Sequence, residues 1–126
     1  MNKQTPQLCI FNLTLYFRGM KPIIEDLGKL ISKMPKWYGS RSLNEIQVTC
    51  REYEKILSKV NGLSDEYNRN TFYYLDELRD IKGKLSTAEC GKTKKAKETA
   101  FDDARRGLLL DIEALIGLIK RVEQLD

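Results

Sequence analysis

The sequence predicts an all-α fold, an antiparallel up-and-down four-helix bundle, and three observations carry that prediction. Leu43, Ile46, Cys50, Tyr53, Leu57 and Val60 follow an unbroken 3,4 apolar spacing, and so do Tyr67, Thr71, Tyr74, Leu78, Ile81 and Leu85. Side chains three and four apart stack on one helical face, so each run describes an amphipathic helix whose stripe has to be buried against a neighbour. Phe101, Ala104, Leu108, Ile112, Leu115, Ile119 and Val122 repeat the pattern near the end of the chain. At 126 residues the chain is long enough for one core, so residues 1–126 are expected to form a single helical-bundle domain.

The first element is ambiguous over 8–17, LCIFNLTLYF. Leu8, Phe11 and Leu15 suit a helix, whereas Leu13, Leu15 and Phe17 suit one face of a strand, and a short apolar run does not separate the two. Continuation through Ile23, Ile24, Leu27, Leu30, Ile31 and Met34 favours helix, with Pro22 either kinking it or opening a new one. A signal peptide is disfavoured by the interruptions at Asn12 and Thr14 and by the missing small-residue cleavage pattern, and ten residues are too few to span a bilayer.

Pro35 is expected to end the first helix and 35–40 to form a loop. Ser42-Leu-Asn-Glu45 has the form of a capping box that would start helix two, and Gly62 stands where a left-handed residue would close it. Ser64-Asp65-Glu66 supplies an N-cap and first-turn acids for helix three, expected over Tyr67–Leu85. Residues 86–99, STAECGKTKKAKET, have almost no large apolar residue, and a loop with a frayed start to helix four is expected there. Leu109, Leu110, Ile116 and Leu118 widen the last stripe, which suggests contact on two sides or a subunit interface.

Composition bounds the chemistry. With 41% apolar and 32% charged residues the chain belongs with soluble globular proteins, and a net charge of +4 permits contact with nucleic acid without demanding it. Three widely spaced cysteines, Cys9, Cys50 and Cys90, are no disulfide framework and point to a reducing, cytoplasmic setting, with Cys50 as a small core residue. Histidine is absent, which removes the commonest general base and metal ligand, and three cysteines fall short of a four-cysteine zinc site. We therefore expect no enzyme activity, no cofactor, no metal and no small-molecule substrate.

Gly91-Lys92-Thr93 has the ending of a phosphate-binding loop, but Ser86 occupies the place of its first glycine and no strand precedes it. Asp102-Asp103 and Asp76, Glu77 and Asp80 could share acid and base roles, yet all fall beside arginines and lysines, and solvated ion pairs such as Asp102 with Arg105 or Arg106 account for them. Tyr67 and Tyr74 lie on the stripe. Phe72 and Tyr73 lie off it, and exposed aromatics of this kind suit a protein-binding surface.

Basic residues gather in two places. Lys82, Lys84, Lys92, Lys94, Lys95 and Lys97 are offset only by Glu89, and Lys29, Lys33, Lys36 and Arg41 have no acid among them. An antiparallel bundle puts the loops after helices one and three at one end, so that both groups, with Trp37 and Tyr38, could form one positive surface able to neutralise phosphates. A solvated, lysine-rich loop serving solubility is the plain alternative.

In this order of signals the chain resembles the small four-helix-bundle family that includes proteins encoded in ribosomal-RNA intervening sequences and the accessory variability determinant of diversity-generating retroelements. The similar features are Met34-Pro35-Lys36, Ser42-Leu43, Tyr74-Leu75-Asp76-Glu77-Leu78, Leu109-Leu110-Asp111-Ile112 and Ile116-Gly117-Leu118-Ile119, from about Leu15 onward. The resemblance implies a non-enzymatic, ring-like pentamer that binds a reverse transcriptase and nucleic acid through basic surfaces. This chain is less basic than the retroelement members, and its 86–99 connection is longer.

The expectation is a self-associating accessory protein of a mobile element that binds DNA or RNA, or a nucleoprotein enzyme, away from membranes. Lys36, Arg41, Lys92, Lys94, Lys95 and Lys97 would be its phosphate contacts and Trp37 a stacking partner. The alternative is an inhibitor, immunity or antitoxin-type module that recognises one protein through Phe72, Tyr73 and Trp37, with Asp76 and Asp80 nearby.

Overall fold

A computed structural model of the chain describes residues 20–125. It is an antiparallel up-and-down bundle of four helices: α1 over the described residues 20–32, α2 Ser40–Asn61, α3 Asp65–Cys90 and α4 Lys94–Val122. Residues 8–17 with their helix-or-strand ambiguity, Cys9 and the Leu15 start of the family resemblance lie outside the described residues. No strand occurs among the described residues, and no helix among them is long and apolar enough to cross a membrane.

The apolar stripes meet in one core. Ile46, Cys50, Tyr53, Leu57 and Val60 of α2, Tyr67, Leu78, Ile81 and Leu85 of α3, and Phe101, Ala104, Leu108, Ile112, Leu115 and Ile119 of α4 are all buried, joined by Leu27 and Leu30 of α1. Each large aliphatic or aromatic side chain withdrawn from water in this way stabilises the fold by about 1.5–3 kcal/mol before its conformational entropy is subtracted. Cys50 is a buried core residue, as its place on the stripe implies, and burial pushes its thiol pKa up. Leu43 and Tyr74 sit at the margins of their stripes and are half-buried.

Thr71 is the one aliphatic hydroxyl among the α3 stripe residues, and it is buried without an energetic penalty because it is bonded on both sides. Its Oγ1 donates to the Tyr67 carbonyl at 2.7 Å and accepts from Asn61 Nδ2 at 2.8 Å, while Asn68 Nδ2 donates to Asn61 Oδ1 at 3.2 Å. These bonds pin the tight turn between α2 and α3. Ser64 caps α3 as expected, its Oγ accepting from the Tyr67 amide at 3.2 Å.

Four local expectations are corrected. Helix α2 begins two residues before Ser42, with Gly39 at its N-cap and no capping side chain, so Ser42 and Glu45 are inside the helix and form no capping box. Glu45 instead accepts from Arg41 Nε at 3.1 Å, one turn away. Gly62 closes α2 in right-handed geometry, φ −82° and ψ −4°, so its glycine character is not used for a left-handed turn. The third correction is the largest: helix α3 does not stop at Leu85 but runs to Cys90, and 94–99, expected to be loop and frayed helix, is the capped start of α4. Ala88 and Ala100 carry the reason, since both are buried and continue the stripes with side chains too small to register as apolar signal.

The connection is therefore only Gly91, Lys92 and Thr93, with Thr93 Oγ1 accepting from the Ala96 amide at 3.0 Å. The last correction concerns Asp102, for which no ion pair with Arg105 or Arg106 forms. Arg106 pairs with Asp103 at 3.9 Å, and Arg105 Nε turns inward to donate to the Pro35 carbonyl at 2.7 Å.

Two contacts set the register of α3 against α4. Tyr67 Oη donates to the buried Glu123 Oε2 at 2.8 Å, and a Cβ on Gly107 would meet Ile81 Cγ1 at 3.4 Å. Residue 77 accordingly falls opposite residue 111.

Gly91 holds the short turn by close approach. Its amide donates to the Thr87 carbonyl at 2.7 Å, and a Cβ there would stand 2.7 Å from that oxygen. Gly91→Ala is expected to cost about 1–3 kcal/mol in urea denaturation, as overpacking does. Gly83→Ala, whose Cβ would meet nothing, is expected to gain about 0.5–1 kcal/mol from helix propensity. Equal effects of the two substitutions would contradict the turn geometry. Tyr67→Phe removes a donor from a buried carboxylate and is expected to cost about 1.5–3 kcal/mol in the same assay. A change within error would show that Glu123 does not depend on that bond.

Candidate functional site

The loop after α1 and the turn after α3 lie at the same end of the bundle. Three contacts fix this: Arg105 of α4 on the Pro35 carbonyl, the Tyr38 ring edge-on to Phe101 at 5.7 Å, and Gln47 Nε2 of α2 donating to Glu89 Oε2 of α3 at 3.2 Å. Tyr38, grouped with Trp37 by sequence, is thereby packed into the structure and half-buried, whereas Trp37 is 80% exposed. An exposed indole flanked by Lys36 is available for stacking.

The basic residues divide under the fold. Lys82 Nζ pairs with Glu54 at 2.6 Å and Lys84 Nζ with Asp80 at 3.3 Å, so acids distant in sequence or one turn away offset both. Lys29 and Lys33 line a groove between α1 and α2 together with Asp26, Glu52 and Lys55. Lys36, Lys92, Lys95 and Lys97 form no ion pair among the described residues. Arg41 is paired with Glu45, and Lys94 with Glu98 at 3.9 Å, both as exposed i,i+4 pairs on helices that hold about 0.3–0.5 kcal/mol. Each could exchange its acid for a phosphate at little cost.

The helical start of α4 changes the setting of this cluster. Lys94, Lys95 and Lys97 stand at its start, whose first turn holds no acid and whose unpaired amides carry the positive end of the helix dipole. Glu89, the one acid sequence places among these lysines, is engaged by Gln47.

A second cluster lies in the middle of the α3–α4 seam. Asp111 is 5% exposed, and its Oδ2 has no hydrogen-bond partner. Burial first, and the hydrogen bond and charge of Glu77 second, push its pKa up to about 8. Glu77 moves the other way, held below the usual carboxylate range by the hydrogen bond from Asp111, against its own partial burial, and further by the bond from Tyr73. Tyr53 of α2 is fully buried with its hydroxyl unpartnered, and burial followed by the Asp111 charge drives its pKa up. The Tyr73 hydroxyl is likewise pushed up by its bond to Glu77.

The reading of Glu77 as a solvated, cation-paired acid is thus corrected: its neighbour is another carboxyl. Asp111 gives no signal in sequence beyond being a charged residue next to Ile112 on the apolar stripe. Among the described residues no group of three or more histidine, cysteine or acidic side chains is placed to hold a metal.

Phe72 and Tyr73 stand on the outer face of α3, 66% and 63% exposed, and Leu110 on α4 is 59% exposed. Of the other residues that widen the α4 stripe, Leu118 is buried and Leu109 and Ile116 are half-buried against the core. No family model, no curated protein and no solved structure matches the chain.

Proposed function

We propose that the chain is a non-catalytic, cytoplasmic, self-associating bundle that binds nucleic acid, or a nucleoprotein enzyme such as a reverse transcriptase, through its basic end. The observation that supports this reading is the unpaired lysine set Lys36, Lys92, Lys95 and Lys97 at the end that also bears the exposed Trp37 and the positive terminus of α4. Phosphates are attracted there by ammonium groups, by weakly held cations at Arg41 and Lys94, and by the helix dipole acting in the same sense. An indole beside that track offers a base a surface to stack on, which favours single-stranded segments. The resemblance to the intervening-sequence and retroelement bundle family implies the same kind of partner and a homo-oligomer, which in that family is a pentamer.

A second reading, a protein-binding inhibitor, immunity or antitoxin-type module, is favoured by the exposed Phe72 and Tyr73, which the core does not use. Generic affinity for nucleic acid separates the two. In the first, binding of single-stranded or duplex ligand weakens steeply with salt, by about a thousandfold between 50 and 200 mM if six phosphates are contacted. Replacing Lys92, Lys94, Lys95 and Lys97 by glutamate is expected to abolish binding. The same change favours α4 electrostatically, because acids suit a helix N-terminus, so loss of binding would not reflect unfolding. Binding that survives the quadruple change would remove the site assignment, and a protein indifferent to both ligands at low salt would favour the second reading.

A further inference from the structure

We infer that Asp111 and Glu77 share a single proton in the α3–α4 seam, making the packing of the two longest helices responsive to pH across the neutral range. Register places the pair: Tyr67 on Glu123 and Gly107 against Ile81 bring residues 77 and 111 face to face. Asp111 is almost wholly enclosed, and no lysine or arginine pairs with either carboxyl among the described residues. Two facing carboxylates that lack a countercharge cannot both ionise at little cost, so one keeps its proton and donates it to the other.

The surrounding groups favour that state. From α2, Tyr53 brings a buried hydroxyl without a partner and the neutral Cys50 thiol beside it. From α3, Tyr73 donates to Glu77, Tyr74 lies near both acids, and Asp80 adds a further negative charge beside Glu77. On α4 itself the Arg121 charge bears on Tyr74 and forms no ion pair with either carboxyl. The outcome is a chain of polar groups running from the exposed Tyr73 through Glu77 and Asp111 towards the enclosed Tyr53. Its proton sits between the two acids, Glu77 carrying the charge and Asp111 the hydrogen.

The direction of the pH effect follows from linkage. Asp111 holds its proton in the folded chain up to about pH 8, whereas the unfolded chain releases it near its ordinary value of 3.8. The folded state therefore binds more protons than the unfolded state across that interval, and stability falls as pH rises, the Asp111 contribution ending above about 8. Glu77, shifted oppositely, contributes stability that is lost only as pH drops through the acidic range. Because the chain has no histidine, no side chain of ordinary pKa competes between pH 5.5 and about 8.

The test uses the full chain. With 13C at the aspartate carboxyls, one resonance is expected to titrate with a midpoint near 8, and to be the resonance missing from D111N. In E77Q the midpoint is expected to drop, because the neighbouring charge is gone while burial remains. Urea unfolding of the unsubstituted protein should show an unfolding constant that rises about tenfold per pH unit up to about pH 7.5, the linkage of one proton. D111N, neutral at every pH and still a donor to Glu77, should show a flat profile over the same interval. A titration midpoint in the ordinary aspartate range, a midpoint that E77Q leaves unmoved, or flat stability of the unsubstituted chain would overturn the shared proton. If D111N does not fold, the shift in E77Q identifies the resonance and the outcome stands on that.

Discussion

The seam between α3 and α4 is the contact on which the other features of the molecule depend. These helices of 26 and 29 residues run side by side for roughly 40 Å, and α2 packs chiefly on α3. Their stripes supply most of the core, but apolar side chains alone leave sliding by a turn cheap. One directional polar contact and one close approach fix the register instead, Tyr67 on Glu123 near one end and Gly107 against Ile81 farther along. Between them the seam encloses Asp111 beside the half-buried Glu77, a place where burying an acid brings no gain in packing over an apolar side chain. Retention of an acid on a buried stripe is the feature of this core that packing does not explain, and proton sharing gives it a physical role.

Register in turn places the ends. With α3 and α4 joined by three residues, Lys92 of that turn and the lysines that open α4 are held at one end of the bundle, and Arg105 draws the loop after α1 to the same side by its bond to the Pro35 carbonyl. Trp37 is left outside because its neighbour Tyr38 takes the packing role against Phe101. A positive end with an exposed indole is thus a product of how the helices are stitched together as well as of composition. Lys82 and Lys84, which sequence groups with the lysines of that end, are offset instead by Glu54 and Asp80.

Large side chains at helical spacing made α2, α3 and α4 legible, and the Ser64 cap and the exposure of Phe72 and Tyr73 were readable for the same reason: each depends on local sequence. Small residues hid the rest. Ala88 and Ala100 are core positions, yet an alanine gives no apolar signal, so the end of α3 and the start of α4 looked like loop. The capping-box pattern at Ser42 and Glu45 was outcompeted because Gly39 and Ser40 allowed the helix to begin earlier, leaving Glu45 for Arg41. The carboxyl pair was hidden for a different reason. Residues 77 and 111 meet only through the antiparallel register, and no spacing rule along one helix encodes a neighbour on another.

The placement of both basic groups at one end is the central geometric claim, and an electron-spin distance measurement tests it most directly. Cys90, exposed at the end of α3, accepts one label, and Lys36→Cys provides the other in a chain with Cys9 replaced by serine and the buried Cys50 retained. The bundle described here predicts a distance well below 30 Å, since the loop holding Lys36 packs near Arg105, about 16 Å along α4 from its start. A distance of about 40 Å or more, the length of α4, would place the two groups at opposite poles and contradict the account.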